Sequence, residues 1–255
     1  MKNIKLLSGK FLLAGALSFS LTSYLIYAPQ VQAQSVGERI RALFSSQEEL
    51  GTASGRSRGG ASRGECPAVE DTNLAVLGPS NNLGSTIESS PTLWFYIPYS
   101  KSMGLESAKF FLSHPQGAGL KQAIWVELPD TPGIVKLNLP EDKSIWVNGK
   151  SLEAGKQYDW YFSVICDENQ PAGNPTVSGS IKRVELSPEL ENQLQKENPA
   201  RNYLTYLENG IWYEAIDRLV ENRDIYIDDW TGLREEYDLP ELSQNQIGEL
   251  RLVGQ

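Results

Sequence analysis

A chain of 255 residues with 32 Asp and Glu against 23 Lys and Arg, a net charge of −9, is a poor match to a nucleic-acid-binding surface, which needs clustered positive charge. The single histidine, His114, precedes Pro115 in an expected hairpin turn. It leaves no His cluster for zinc, and its expected place in an exposed turn argues against a Ser-His-Asp triad.

Lys2, Lys5 and Lys10 precede an apolar run from residue 11 to 28, and Val31-Gln32-Ala33 places small residues at a cleavage site. Ser18, Ser20, Thr22 and Ser23 interrupt that run, whereas a stable span prefers about 20 unbroken apolar residues. Residues 1–33 are therefore read as a secretory signal. The remainder is expected to be exported, to the periplasm or outer surface, with no transmembrane span after cleavage. Residues 34–65 follow as a short helix and a linker. Val36, Ile40, Leu43 and Phe44 share one helical face, and 51–64 is Gly, Ser, Ala and Arg with almost nothing apolar.

From 66 to 186 the pattern is β. Seven runs stand out, at 73–77, 92–99, 107–113, 121–128, 134–139, 156–166 and 176–186. In the fourth, Ala123, Trp125 and Leu128 mark the expected buried side. The sixth alternates most clearly: Tyr158, Trp160, Phe162, Val164 and Cys166 on one face, Asp159, Tyr161, Ser163 and Ile165 on the other. Short strands with turn signals about every 10–15 residues predict an antiparallel immunoglobulin- or fibronectin-like β-sandwich. Leu152-x-x-Gly155-x-x-Tyr158-x-Trp160 is similar to the strand entry of such domains, where a Tyr hydroxyl bonds back to the backbone.

The only two cysteines, Cys66 and Cys166, are expected to pair in an oxidising compartment. One precedes the first strand and the other ends the sixth, so idealised up-and-down alternation puts both at the same pole.

From 187 to 255 the period becomes helical, giving an α+β chain with its two kinds of element segregated. Ser187-Pro188-Glu189 is a helix start, with an N-cap hydroxyl followed by Pro and an acid. Asn198-Pro199 starts another helix and Asn209-Gly210 stops it. Residues 211–222 form a third, striped by Trp212, Ala215, Ile216, Leu219 and Val220. Weaker helices are expected over 230–237 and 240–252. From Glu185 onward sixteen acidic residues face six basic ones, a solvated helical surface. Asp224, Asp228 and Asp229 lack the spacing of a calcium loop.

Tyr206-x-x-x-Gly210-x-Trp212-x-x-Ala215-Ile216-x-x-Leu219 resembles the helix-turn-helix joint of a tetratricopeptide repeat. The Leu-Gly pair of that motif is replaced by Asn202 and Tyr203, and one unit falls short of the roughly three a solenoid needs. Five further stretches carry a broader resemblance. They are Arg63-Gly64-Glu65-Cys66, the run from Pro91 to Tyr99, Leu128 to Ile134, Tyr158 to Asp167, and Glu208 to Tyr213. Together, over about 63–239, they resemble a cyanobacterial family of exported proteins classed as a domain of unknown function. The resemblance implies export and names no activity, cofactor or functional residue.

No phosphate loop, metal-ligand spacing or other cofactor motif is present in the sequence. The reading that follows is a non-enzymatic envelope protein, an adaptor binding another envelope protein through its helical region. Exposed aromatics offer an alternative, a carbohydrate-binding module for envelope polysaccharide. Candidate contacts for either partner are Trp146, Tyr161 and Trp212. A hydrolase with spatially assembled carboxylates is the third reading.

Overall fold

The computed structural model of the protein describes residues 66–69, 73–113, 123–141 and 151–253. The expected signal, the 34–65 segment, His114 and Trp146 lie outside the described residues. Within them the order is β1 (Ala75–Val76), β2 (Leu83–Thr86), β3 (Thr92–Ile97), β4 (Ser107–Ser113), β5 (Ile124–Glu127), β6 (Gly133–Asn138), β7 (Gln157–Val164) and β8 (Thr176–Arg183). Four helices follow, α1 (Pro188–Lys196), α2 (Asn202–Glu208), α3 (Trp212–Glu221) and α4 (Ile227–Glu236), and then β9 (Ile247–Glu249).

The strands make two mostly antiparallel sheets, one ordered β1-β3-β6-β9 and the other β2-β8-β7-β4-β5. They face each other across one apolar core. Phe95 of β3 stacks on Phe162 of β7 at 4.4 Å between centroids and meets Trp160 edge-on at 5.9 Å. On β7 the period of two is realised as expected: Tyr158, Trp160, Phe162 and Val164 are buried, and Tyr161 is exposed. The Tyr158 hydroxyl accepts from the Glu153 backbone N–H at 3.2 Å.

Several expectations need correction. Nine strands rather than seven occur among the described residues. β2 and β9 are three or four residues long, and both pair in parallel, β2 with β8 and β9 with β6, where antiparallel pairing was expected throughout. The helix expected over 240–252 is instead a 3-10 turn, Gln244–Gln246, leading into β9. Beyond β9 the chain changes sheet. Leu250 N–H donates to Lys136 of β6, and then Glu127 N–H donates to Arg251 and Val253 N–H to Trp125 of β5. Backbone pairing to two strands overrides a weak helical period.

Trp125, expected on the buried side, is placed otherwise. Its neighbours Ile124 and Val126 are the buried residues of β5. Because the side-chain period of a strand is two, moving the assignment by one residue turns every side chain to the other face. Trp125 therefore points away from the core.

Two of the expected helix starts are capped as predicted, the second opening on a 3-10 turn before α2, while α4 starts at Ile227, earlier than the expected 230. Ser187 Oγ accepts from Leu190 N–H at 3.2 Å, and Asn198 Oδ1 from Ala200 N–H at 3.0 Å. Gly210, at φ +71°, makes the left-handed turn into α3 that other residues disfavour. α3 lies on the four-stranded sheet: Trp212 Nε1–H donates to the Leu77 carbonyl at 3.0 Å, and Trp94 Nε1–H to Asp217 Oδ1 at 2.9 Å. Tyr213 passes into the space between the sheets, where its hydroxyl accepts from Trp160 Nε1–H at 3.3 Å. Gly84 permits this, because a Cβ there would enter the Tyr213 ring. The next residue, Glu214, clamps the chain after β2. Its Oε1 accepts from Thr86 Oγ1, from Ile87 N–H at 2.9 Å and from Glu88 N–H at 3.2 Å.

Candidate functional site

The two sheets treat their outer faces differently. On the four-stranded sheet, Trp94 and Tyr96 of β3 and Ile134 of β6 share an apolar cluster with Trp212, Ile216 and Leu219 of α3. That face is closed by helices. On the five-stranded sheet the outward side chains are Lys109 and Phe111 of β4, Trp125 of β5, and Asp159, Tyr161 and Ser163 of β7, by the alternation of each strand.

Register brings these side chains together. Phe111 lies opposite Tyr161, and Lys109 lies opposite both Trp125 and Ser163. The Phe111 and Tyr161 rings stack at 4.8 Å with 14° between their planes, the separation of neighbouring strands. Lys109 Nζ sits 5.0 Å from the Trp125 ring centroid, within reach of a cation–π attraction. No carboxylate among the described residues forms an ion pair with Lys109. Tyr161 remains 36% exposed.

Beside this row is a groove of about 340 Å³. The sheet side lines it through Lys109, Phe111, Trp125, Ser163 and Ile165, and the β7–β8 connection walls it through Glu168, Pro171 and Asn174. That loop is held from within. Asn174 Oδ1 accepts from the N–H groups of Cys166 and Asp167 at 2.9 and 3.1 Å, and its Nδ2 donates to the Asp167 carbonyl at 3.2 Å. Cys166 is bonded to Cys66, with Cα atoms 5.1 Å apart. The disulfide expected from the sequence thus anchors the wall of the groove.

A larger, mainly polar groove of about 1080 Å³ runs along the seam where the C-terminal segment joins β5 and β6. Its carboxylates are partnered in part. Glu127 takes a 2.7 Å hydrogen bond from Lys101, which holds its carboxyl below the usual range. Asn138 Nδ2 donates to Glu249 Oε1 at 2.6 Å while its Oδ1 accepts from Thr92 Oγ1 at 2.8 Å. A carboxylate kept ionised by a lysine is the reverse of what a general acid requires.

The sequence-derived contacts separate in space. Tyr161 belongs to the open row. Trp212 is 2% exposed and lies in the helix–sheet core, so it offers no surface to a partner. Trp146 is outside the described residues. Asp229 accepts a hydrogen bond from the Tyr203 hydroxyl and so ties α4 to α2. Sequence reasoning missed Lys109, Phe111 and Trp125. The signal was present in β4, where Ala108, Phe110 and Leu112 fix the inward side and turn Lys109 and Phe111 outward. For Trp125 the same signal was Ile124 and Val126.

The chain belongs to the family described as Domain of Unknown Function (DUF928), whose profile matches residues 58–247. No curated protein and no solved structure matches it.

Proposed function

We propose that this member of the DUF928 family is an exported, non-enzymatic binding module of the cell envelope that works through the open face of its five-stranded sheet. The observation that carries the reading is the unequal treatment of the two outer faces. Helices cover one, while Trp125, Phe111 and Tyr161 stand on the other beside a walled groove. Tyr161 is exposed and Phe111 and Trp125 are half-buried, and part-exposed aromatics of this kind are typical anchors for a ligand or partner. Export is supported by the signal-like pattern of residues 1–33 and by the Cys66–Cys166 disulfide, which suits an oxidising compartment. The Tyr158 hydroxyl bond to Glu153 supports an immunoglobulin- or fibronectin-like corner at the entry to β7.

A second reading, an adaptor acting through the helical region, is favoured by Ile225 and Ile227. They are 67% and 56% exposed beside α4, an apolar pair where a partner protein would seat.

Point variants separate the two readings. A chain ending at Leu186 would lose α3 and β9 and would not report on a folded molecule. The mature chain is cross-linked in envelope fractions beside Trp125→Ala and a double Ile225→Ser/Ile227→Ser variant. Capture lost with Trp125→Ala supports the open face. Capture lost only with the double variant moves the working surface to the helices.

A further inference from the structure

We infer that the groove between Phe111 and Trp125 of the sheet and the β7–β8 loop is a saccharide subsite, an inference that rests on the open-face reading and gives it a ligand class. A pyranose ring has faces of C–H groups and a rim of hydroxyls. A site for it needs an apolar wall together with donors and acceptors set around it.

The groove supplies both. Phe111 and Trp125 provide apolar surface, Lys109 offers only donors, Glu168 only acceptors, and the Ser163 hydroxyl an acceptor, its proton going to Thr176, whose own goes to the Asn174 carbonyl. Ser163 is oriented by a 2.8 Å hydrogen bond with Thr176 Oγ1. Lys109 has its ammonium over the Trp125 ring, unpaired by any described carboxylate. It is therefore free to donate to ring hydroxyls or to a sugar carboxylate.

Size and rigidity agree. A volume of about 340 Å³ is at the small end of small-molecule sites, which span about 300–1,000 Å³. A protein partner would need a much broader contact, about 800 Å² per side. The far wall is fixed in advance by Asn174 and the disulfide, so little ordering entropy is lost on binding.

The test uses the full mature chain with its disulfide intact. Polysaccharide extracted from the envelope is titrated against tryptophan fluorescence, and envelope fractions are captured before and after periodate, which cleaves vicinal diols. The expected result is saturable binding, weakened about tenfold or more by Trp125→Ala and by Lys109→Ala. Capture should disappear after periodate. Both variants are checked for a retained cooperative thermal transition, and Lys109→Ala serves if Trp125→Ala is poorly folded. Capture that depends on Trp125 but survives periodate overturns the saccharide and leaves the open face standing. Capture or titration indifferent to both variants overturns the open face as well.

Discussion

β3 and β7 are neighbours across the same core, and their sequences differ because their outer faces do. β3 reads Thr-Leu-Trp-Phe-Tyr-Ile and is buried at every position after Thr92. Leu93, Phe95 and Ile97 pack toward the other sheet, while Trp94 and Tyr96 pack under α3. A strand covered on both sides loses its alternation. β7 keeps it, with Asp159, Tyr161 and Ser163 facing away from the core. Large aromatics thus occur on both outer faces and do opposite work. Trp94 and Trp212 hold two layers together, whereas Trp125 and Tyr161 meet Lys109 and Phe111 of their own sheet.

The largest stability effect is expected at the disulfide, which serves the open side. Cys66 and Cys166 are 100 residues apart, a loop whose closure contributes up to ~4.7 kcal/mol in the chain-entropy model. Urea unfolding of Cys66→Ser/Cys166→Ser should show a loss of several kcal/mol. Saccharide affinity should fall with it, because Cys166 begins the loop that walls the groove. A variant that lost stability but kept full affinity would separate the wall from the bridge.

The direct comparison of faces is a tryptophan at each. Trp212→Ala removes a buried ring and its bond to the Leu77 carbonyl, and should cost about 3–5 kcal/mol. Trp125→Ala removes a ring from the open sheet face and should cost about 1 kcal/mol or less. Thermal midpoints of the two variants, measured side by side, check the assignment. Equal losses would mean that the five-stranded sheet is covered too.

Much of this contrast was legible in the sequence where one local rule dominated. The β7 alternation, the Ser187-Pro188 cap, the Gly210 stop and the α3 stripe are each set by neighbours in the chain, and each is found. The disulfide followed from cysteine arithmetic. What failed depended on distant partners. β2 is Leu-Gly-Ser-Thr, a strand only because β8 lies beside it. β9 is Ile-Gly-Glu, extended because β6 and then β5 offer backbone groups to the C-terminal segment. Trp125 was misplaced for a related reason. A four-residue strand carries too few alternations to fix its own phase, and the largest apolar residue was taken for the innermost. The groove inherits that error, since it is lined by the residue assigned to the core.

On the covered side, a pH dependence of stability should follow from the α3 carboxyls. Burial raises the Glu214 carboxyl above its ordinary 4.5, and its Oε2 has no hydrogen-bond partner among the described residues. Burial also raises Asp217 above 3.8, against the bond from Trp94. An acid with a higher pKa in the folded chain binds its proton more tightly there. Its stabilising contribution is full below the unfolded value and is lost as pH rises through the folded one. Stability contributed by these groups should therefore decline as pH rises past their ordinary values, 3.8 for Asp217 and 4.5 for Glu214. Glu214→Gln, which keeps an oxygen for Thr86, Ile87 and Glu88, should flatten that decline. A thermal midpoint in the variant that tracked the parent across the same range would remove Glu214 as its source.

Tyr161→Ala should have the smallest effect on stability and a larger one on binding. Its ring stacks on Phe111 and is more than one-third exposed. The stability lost is that of a cross-strand pair, about 0.2–1 kcal/mol. Yet Tyr161 extends the aromatic row beyond the groove, where a polysaccharide longer than one or two rings would continue. Chain length then becomes the discriminating variable. Affinity for a long polysaccharide should fall in Tyr161→Ala, while affinity for a disaccharide seated in the groove should stay near the parent value. Loss for both would place Tyr161 within the subsite, and loss for neither would confine the working surface to Phe111, Trp125 and Lys109.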